Sequence, residues 1–321
     1  MSRVTVIVPT YNGGQHLRET LDAIGAQTRL ADEVVVVDDC STDNSLAIAQ
    51  AHPAVTKAIS STENAGVCAA RNKGITASTG DLIGFCDQDD LWDPTKLEAQ
   101  VHAMEVNPNV DYLFTNFVHM RDGSVEKQDK FSQAQKGWWQ DAASQSKTGM
   151  LILHRPALPH LLKFQPAFPS AMMVRRSLLE RAGQFDEALG RERSEDLEFL
   201  LRCDSIGVIA ALNRPLVTIR KHEGNYSADT TKTTLSQIRI LQAMTMPNSR
   251  YEQHRNAIER ETARRSIEAI DGSFAALDFK TCLKLAKQFP SVNRPTKQRV
   301  KVAIASLPTP IARRLAALLM G

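Results

Sequence analysis

The chain has 321 residues, of which 42% are hydrophobic and 23% are charged, so it has ample apolar material for a globular core. Its formal net charge of +3 argues against a dedicated nucleic-acid-binding protein. Its five cysteines form no close pair, which disfavours both a disulfide framework and a zinc site. No apolar run is long enough for a membrane span or a signal peptide, so we expect a cytoplasmic protein.

The first 120 residues alternate between apolar strands and helical periodicity. Strands are predicted over 4–8, 33–37, 55–60, 82–86 and 111–120. Helices are predicted over 15–27, 44–51, 64–72 and from Pro94 onward. This alternation is typical of an α/β domain with a mostly parallel sheet, in which ligands bind beyond the carboxyl ends of the strands.

Polar clusters follow several of these strands, at 10–12, 38–39 and 87–90. In the last cluster Asp87, Asp89 and Asp90 stand together after a buried strand, where like charges repel and lose hydration. A Mn²⁺ or Mg²⁺ ion shared with a phosphorylated ligand would stabilise them. The alternative is a surface turn in which Asp90 or Asp93 caps the next helix. The chain lacks both the dinucleotide glycine motif and the P-loop lysine motif, which disfavours nicotinamide and P-loop chemistry.

The middle of the chain is less regular. Residues 121–147 are polar and predict a long loop that carries two tryptophans. A strand over 168–174, a helix that starts near 195 and a strand over 215–220 follow. Beyond about residue 229 strand signals disappear. Helices are predicted there near 235–246, 252–271, 274–289 and 298–307. The chain is therefore divided into 1–120 and 121–229, which are halves of one α/β domain, and a helical region over 230–321.

Short motifs occur in a set order along the first part of the chain. They are Pro9-Thr10-Tyr11-Asn12, Asp38-Asp39, Asn64-x-Gly66 with Arg71, Asp87-Gln88-Asp89-Asp90-x-Trp92, Glu195-Asp196 and His222-x-x-Asn225-x-Ser227. With these motifs the chain resembles the inverting glycosyltransferases of family 2, which have the GT-A fold, over residues 3–228. The aspartate-rich motif is similar to that of bacterial rhamnosyl- and related transferases of surface polysaccharide assembly.

The resemblance implies that residues 1–120 bind a UDP- or dTDP-linked sugar donor. Thr10, Tyr11 and Asp39 would then bind the base and the ribose. Arg71 would face the diphosphate or the base, and Asp87 would lie near the ribose. Two alternatives stay open: Asp39 as a hydrogen-bond acceptor within a turn, and Arg71 on a solvated helix face.

The resemblance also implies a divalent cation, Mn²⁺ or Mg²⁺, bound in a DXD-type motif by Asp89. A metal ion neutralises the charge that develops on a departing nucleoside diphosphate. His222 lies in a basic segment that could gather on this diphosphate, and its imidazole would be a second ligand. The alternative is a basic loop in which His222 has no role in the site.

Residues 121–229 would form the acceptor-binding half. Asp196 is the best candidate for the general base, because inverting transfer needs a carboxylate that takes the acceptor proton. Glu195 would orient the acceptor, Asp90 would face it or cap a helix, and Trp138 would stack on its sugar. Two alternatives stay open. Helix electrostatics alone also explains why Glu195 and Asp196 stand at a helix start. Trp138 could equally anchor a loop.

The sequence thus predicts inverting transfer of a sugar to a hydroxyl of a glycan or lipid-linked acceptor. One alternative is a nucleotidyltransferase, although the segment 12–16 is a poor match for a triphosphate-binding loop. Another is a catalytically silent GT-A domain that acts as an interaction module.

The extreme C-terminus predicts an amphipathic helix, which begins at Thr309 and Pro310. Its apolar face is expected to comprise Ile311, Leu315, Leu318 and Leu319. This face would dock on the inner face of the membrane, on the chain's own domain or on a second subunit.

Overall fold

A computed structural model describes residues 2–146, 149–189, 193–222, 230–247, 249–289 and 294–320. The chain forms two compact units. The first unit contains Met1–Arg191 and Glu195–Asn225, and the second contains Glu192–Ser194 and Tyr226–Gly321. The regions 1–120 and 121–229 therefore belong almost entirely to one unit.

The first unit is built on one sheet with helices on its faces. Its strands are β1 (Val4–Thr10), β2 (Glu33–Asp38), β3 (Lys57–Ser60), β4 (Leu82–Phe85), β5 (Leu91–Trp92), β6 (Tyr112–Arg121), β7 (Ser124–Val125), β8 (Ala143–Gln145), β9 (Leu151–Leu153), β10 (Met172–Arg175) and β11 (Ile209–Lys221). Its helices are α1 (Leu17–Gly25), α2 (Ser45–Ala51), α3 (Val67–Ala77), α4 (Lys96–Val106), α5 (Trp138–Ala142), α6 (Leu158–Leu161), α7 (Arg176–Ala182) and α8 (Glu195–Asp204).

The strand order along the sheet is β3-β2-β1-β4-β10-β6-β11-β9-β8, with β5 paired to β11 and β7 paired to β6. The first four strands in this order are parallel. β10 then enters antiparallel to both β4 and β6, while β11 runs parallel to β6. The predicted α/β fold class is confirmed. The sheet is mixed, since the strands beyond β4 are joined by both kinds of pairing.

Buried apolar residues explain the first half of the sheet. All residues of β1 and most of β2 are buried, as in a strand covered by helices on both faces. α1 contributes Leu17, Leu21 and Ile24 to the core, at the spacing of one helix face. The predicted strands and helices of residues 1–120 are therefore all present, with ends that differ by a few residues.

The segment predicted as a loop over 121–147 contains β7, α5, β8 and a short 3-10 helix at Phe131–Gln133. These elements are too short to show periodicity in the sequence. Buried aromatic side chains hold them instead, among them Phe131 and Trp138. β11 is also longer than the predicted strand 215–220, because its pairing with β6 continues across register shifts around Pro215.

The second unit is helical, with α9 (Thr230–Met244), α10 (Arg255–Ala275), α11 (Phe279–Gln288), α12 (Thr296–Ala305) and α13 (Thr309–Met320). These helices share an apolar core that includes Ile270, Phe274 and Leu285. Asp278 caps α11 by accepting a hydrogen bond from the Thr281 N–H at 3.0 Å. Within the described residues, no helix combines the length and apolarity needed to cross a bilayer.

Close packing of α3 on β1 generates a first prediction. A Cβ atom added at Gly74 would lie 2.5 Å from Cγ2 of Ile7, which is fully buried. Overpacking of this kind costs about 1–3 kcal/mol, which exceeds the gain of about 1 kcal/mol from alanine in a helix. We therefore expect Gly74→Ala to lower the free energy of unfolding, measured by urea denaturation.

Gly272→Ala is the matched control for this prediction. Gly272 also lies inside a helix, but its added Cβ would make only an ordinary contact with Thr231 at 3.5 Å. Alanine should therefore raise the stability of the second unit by about 1 kcal/mol. Equal effects of the two substitutions would show that contact with Ile7 does not limit position 74.

Candidate active site

The carboxyl ends of β1, β2 and β4 lie side by side. Thr10 at the end of β1 is opposite Asp38 at the end of β2. The Asp39 N–H donates to the Thr10 carbonyl oxygen at 2.8 Å. The Thr10 hydroxyl donates to Oε1 of Gln88, in the loop after β4, at 2.7 Å. The sheet therefore brings together the polar clusters that the sequence placed at separate strand ends.

Gln88 also holds the loop after β1. Its side-chain oxygen accepts from the Tyr11 N–H at 2.8 Å, and its amide nitrogen donates to the Tyr11 carbonyl oxygen at 3.2 Å. The Tyr11 side chain is 47% exposed, so its ring can stack on a nucleotide base. Sequence reasoning missed Gln88, because its partners are distant along the chain.

Asp39 is buried and orders the turn that leads into α3. Its carboxylate accepts hydrogen bonds from the Ala65 N–H at 3.0 Å and from the Gly66 N–H at 2.7 Å. Gly66 has a φ of 92°, a conformation that favours glycine. In Asp38, Oδ1 is buried and has no hydrogen-bond partner among the described residues. Contact of Asp39 with the donor stays a prediction, and Asp38 offers a second acceptor beside it.

Arg71 joins the two halves of the first unit. Its Nη2 donates to Asp87 at 2.8 Å, and its Nη1 donates to Glu195 at 2.7 Å. Its side chain is buried. Burial alone would lower the pKa of Arg71, but Asp87 and then Glu195 outweigh it and raise the pKa above its usual value. Arg71 thus lies between carboxylates rather than on a solvated helix face, and its contact with the donor stays a prediction.

Asp89 and His222 meet at the candidate metal site, where His222 Nε2 lies 2.9 Å from Oδ2 of Asp89. Burial and then the charge of Asp87 raise the pKa of Asp89. A carboxylate oxygen and an imidazole nitrogen that are already adjacent form a suitable ligand pair for Mn²⁺ or Mg²⁺.

The described residues alone do not complete this metal site. In the described part of the chain, no group of three or more His, Cys, Asp and Glu side chains is arranged to hold a metal ion. Divalent ions in such sites usually take their remaining ligands from water and from substrate phosphates. The donor set at Asp89 and His222 therefore fits an ion that binds together with a diphosphate.

Basic groups surround the pair formed by Asp89 and His222. The centroids of the His16 and His222 rings are 5.3 Å apart. Burial, followed by the charges of Arg220 and His222, lowers the pKa of His16. Arg220 donates from Nε to the Asp89 carbonyl oxygen at 3.0 Å and from Nη2 to Glu19 at 2.6 Å. His16 and Glu19 carry no recognisable motif, so only the structure assigns them to this site.

Asp90 is a buried structural residue. It accepts hydrogen bonds from the Ser170 hydroxyl and, at 3.1 Å, from the Arg220 N–H. Burial, and then Asp89 and Asp87, hold its pKa well above the usual value. Ser170 in turn accepts from the Asp87 N–H at 3.0 Å. Both carboxylate oxygens of Asp90 thus bind the protein itself, and its contact with an acceptor stays a prediction.

Asp196 and Glu195 begin α8. Glu195 binds Arg71, whereas Oδ2 of Asp196 accepts from Nε2 of Gln165 at 2.8 Å. Burial, reinforced by the adjacent charge of Glu195, raises the pKa of Asp196 to about 7. A carboxylate with a pKa near neutrality is suited to proton transfer at physiological pH. Asp87 also acts electrostatically on Asp196, so the candidate base lies near the donor-side carboxylates.

Lys130 adds a cation to the surroundings of Asp196. Its Nζ lies 4.7 Å from the centroid of the Phe164 ring and 5.6 Å from that of Phe168. Burial and the neighbouring Lys221 lower the pKa of Lys130 to about 8, and Asp196 opposes this shift. Sequence reasoning missed Lys130, because it lies in the segment interpreted as a polar loop.

Trp138 lies in the interior. Only 5% of it is exposed, and its indole N–H donates to the His160 carbonyl oxygen at 3.1 Å. Its ring packs edge-on against Trp139 and Phe164. The prediction that Trp138 stacks on an acceptor sugar is therefore corrected, since its ring is enclosed by protein.

Sequence comparison finds glycosyltransferases among the relatives of this chain. TuaG of Bacillus subtilis, a glycosyltransferase named for teichuronic acid biosynthesis, is 33% identical over 144 residues, which is 44% of this chain and 56% of TuaG. WfgD of Escherichia coli, named as a glucosyltransferase that acts on a diphosphoundecaprenol-linked GlcNAc, is 29% identical over 123 residues, or 38% of this chain and 48% of WfgD. The matches thus cover about half the length of these relatives.

Solved structures share the fold. TarS of S. aureus, in complex with UDP-GlcNAc, has a TM-score of 0.66 and 20% identity and covers 99% of this chain and 89% of its own. A mannosyltransferase from Pyrobaculum calidifontis, solved with GDP-Man and Mn²⁺, has a TM-score of 0.55 and 21% identity, covering 99% and 87%.

The family model described as glycosyl transferase family 2 matches residues 5–181. This range contains the carboxyl ends of β1, β2 and β4, after which the predicted donor-binding residues lie. The chain therefore belongs to glycosyl transferase family 2 and has the GT-A fold.

Proposed function

We propose that the chain transfers a sugar from a UDP- or dTDP-linked donor to a hydroxyl of a glycan or lipid-linked acceptor, with inversion at the anomeric carbon. The observation that carries this proposal is the position of Asp196. Its carboxyl group has a pKa raised to about 7 and lies beside the link that Arg71 makes between Asp87 and Glu195. An ionisable group tuned to neutral pH beside a nucleotide-sugar site is a candidate general base.

The donor is proposed to bind across the strand ends. Tyr11 would stack on the base, while Thr10, Asp39 and Asp87 would hold the ribose and the base edge through hydrogen bonds. Structures of the same fold support a nucleotide-sugar donor, since TarS was solved with UDP-GlcNAc and the mannosyltransferase with GDP-Man.

Asp89 and His222 would hold Mn²⁺ or Mg²⁺. When bound, the ion would neutralise charge on the departing diphosphate as a Lewis acid. Arg220 lies beside these ligands and would add positive charge on the same side. Mn²⁺ is present in the related mannosyltransferase structure, which supports a divalent cation here.

Asp196 would accept the proton of the acceptor hydroxyl as its oxygen attacks the anomeric carbon. The bond from that carbon to the diphosphate oxygen breaks on the opposite face, so the configuration inverts. Glu195 would keep Arg71 and the start of α8 in place and orient the acceptor. WfgD, which is named for a diphosphoundecaprenol-linked acceptor, supports an acceptor of this class in bacterial surface polysaccharide synthesis.

A pH prediction follows from the raised pKa of Asp196. Only the deprotonated carboxylate can take a proton, so kcat/KM should rise with pH and level off above about 7. Asp196→Asn should lower kcat and kcat/KM together by about 10²–10⁴-fold and leave the Kd for UDP unchanged. The measurements are nucleoside diphosphate release across pH and calorimetry with UDP.

The control is Glu198→Gln, which changes another acid of α8 that pairs with Arg202 on the same helix. It should keep both the rate and the pH profile of the wild type. If Asp196→Asn keeps near wild-type turnover, or keeps the same rise with pH, the general base is another residue.

A third prediction concerns the metal ligands. Mn²⁺ should strengthen UDP binding by the wild type, and Asp89→Ala should abolish this gain. His222→Ala should weaken UDP binding more with Mn²⁺ than without it, by about tenfold or more. Isothermal titration calorimetry with and without Mn²⁺ measures both effects.

His102→Ala is the control, because His102 is an exposed histidine on α4. It should leave UDP affinity unchanged in both conditions. An equal loss for His222→Ala with and without Mn²⁺ would mean that His222 contacts the nucleotide directly and does not hold the ion.

A further inference from the structure

α13 exposes an apolar stripe. Its residues Ile311, Leu315 and Leu318 are 50%, 37% and 81% exposed. They are spaced at i, i+4 and i+7, so they lie on one face of the helix. Another face of α13 is anchored by Ala312 and Ala316, which are fully buried in the core of the second unit. The helix is thus held by its alanines and presents its larger apolar side chains outward.

The sequence predicted a different set of residues for the apolar face of α13. It grouped Leu319 with the stripe, whereas the structure packs Leu319 partly against the core. Small alanine side chains allow α13 to approach the neighbouring helices closely, which turns the larger residues outward. Val300 and Leu307, which precede α13 in the same unit, are also exposed, at 42% and 40%.

All charged side chains in the C-terminal segment 279–321 are basic. Residues 279–321 contain five lysines, four arginines and no acidic residue. Since the whole chain carries +3, residues 1–278 carry −6. Arg314 is exposed and lies one helical turn from both Ile311 and Leu318, so a positive charge borders the stripe.

The positive charge and the apolar stripe of α13 together indicate which partner this surface binds. A second copy would bring the same positive segment against this one, and like charges repel. A purely anionic polymer would neutralise the charge but leave the apolar side chains in water. A membrane surface with anionic lipids satisfies both, because it takes apolar side chains below its headgroups and attracts nearby basic residues.

We propose that α13 docks on an anionic lipid surface, with Ile311, Leu315 and Leu318 inserted at the boundary between headgroups and acyl chains. No described helix can span a bilayer, so the contact lies on the surface. This inference is independent of the proposed transfer reaction, since it concerns binding to vesicles and needs no substrate.

The test is co-sedimentation of the full chain with vesicles at low salt. The wild type should bind vesicles of phosphatidylcholine mixed with phosphatidylglycerol far better than phosphatidylcholine alone, and added salt should weaken binding. Leu318→Gln keeps the charge and should reduce binding by about tenfold, since one exposed leucine no longer enters the lipid. Arg314→Gln should reduce binding by about fivefold.

Matched controls are Leu30→Gln, an exposed leucine of the first unit, and Arg250→Gln, an exposed arginine elsewhere in the second unit. Both should bind vesicles like the wild type. Circular dichroism spectra that match the wild type would show that each variant is folded.

Particular outcomes overturn the proposal. If Leu318→Gln binds as well as the wild type, attraction is purely electrostatic and the stripe has no part in it. If the wild type does not bind anionic vesicles, the proposed docking of α13 on lipid is wrong. If the wild type is a dimer by light scattering and Leu318→Gln makes it a monomer without changing vesicle binding, the stripe is an interface with a second copy.

Discussion

The buried guanidinium of Arg71 is the interaction on which the site depends. It binds Asp87 after β4 and Glu195 at the start of α8, which are far apart in the chain. A buried charge costs several kcal/mol unless it is paired, so Arg71 requires both carboxylates to stay in place. The same ion pairs therefore fix the loop after β4 and the start of α8 relative to each other.

This arrangement also separates the roles of neighbouring carboxylates. Arg71 forms ion pairs with Asp87 and Glu195. Asp90 is buried against Ser170, and burial holds the pKa of its carboxyl group well above the usual value. Asp196 has Glu195 beside it and a pKa raised to about 7. Carboxyl groups a few residues apart thus have different electrostatic surroundings, and such differences are how active sites assign acid and base functions.

Much of the site could be predicted from the sequence, because parallel strands place their carboxyl ends at one edge of a sheet. Strand periodicity alone therefore grouped Thr10, Asp39 and Asp87. The contacts of Gln88 and Ser170 could not be predicted, since their partners lie far away in sequence and a single polar side chain carries no periodic signal. The sequence left open whether Trp138 stacks on a sugar or anchors a loop, because the short elements around it are held by tertiary aromatic contacts.

The sequence by itself determined the α/β class of the first unit, the helical nature of the second and the order of the site motifs, since these follow from local hydrophobic period and residue type. Only the tertiary structure decided that β10 enters the sheet antiparallel, that Arg71 pairs with both Asp87 and Glu195, and which face of α13 is buried. A helical-wheel projection of the sequence shows which residues share one face of a helix. The partner that each face meets is set by packing against segments distant in the chain, and no local pattern encodes it.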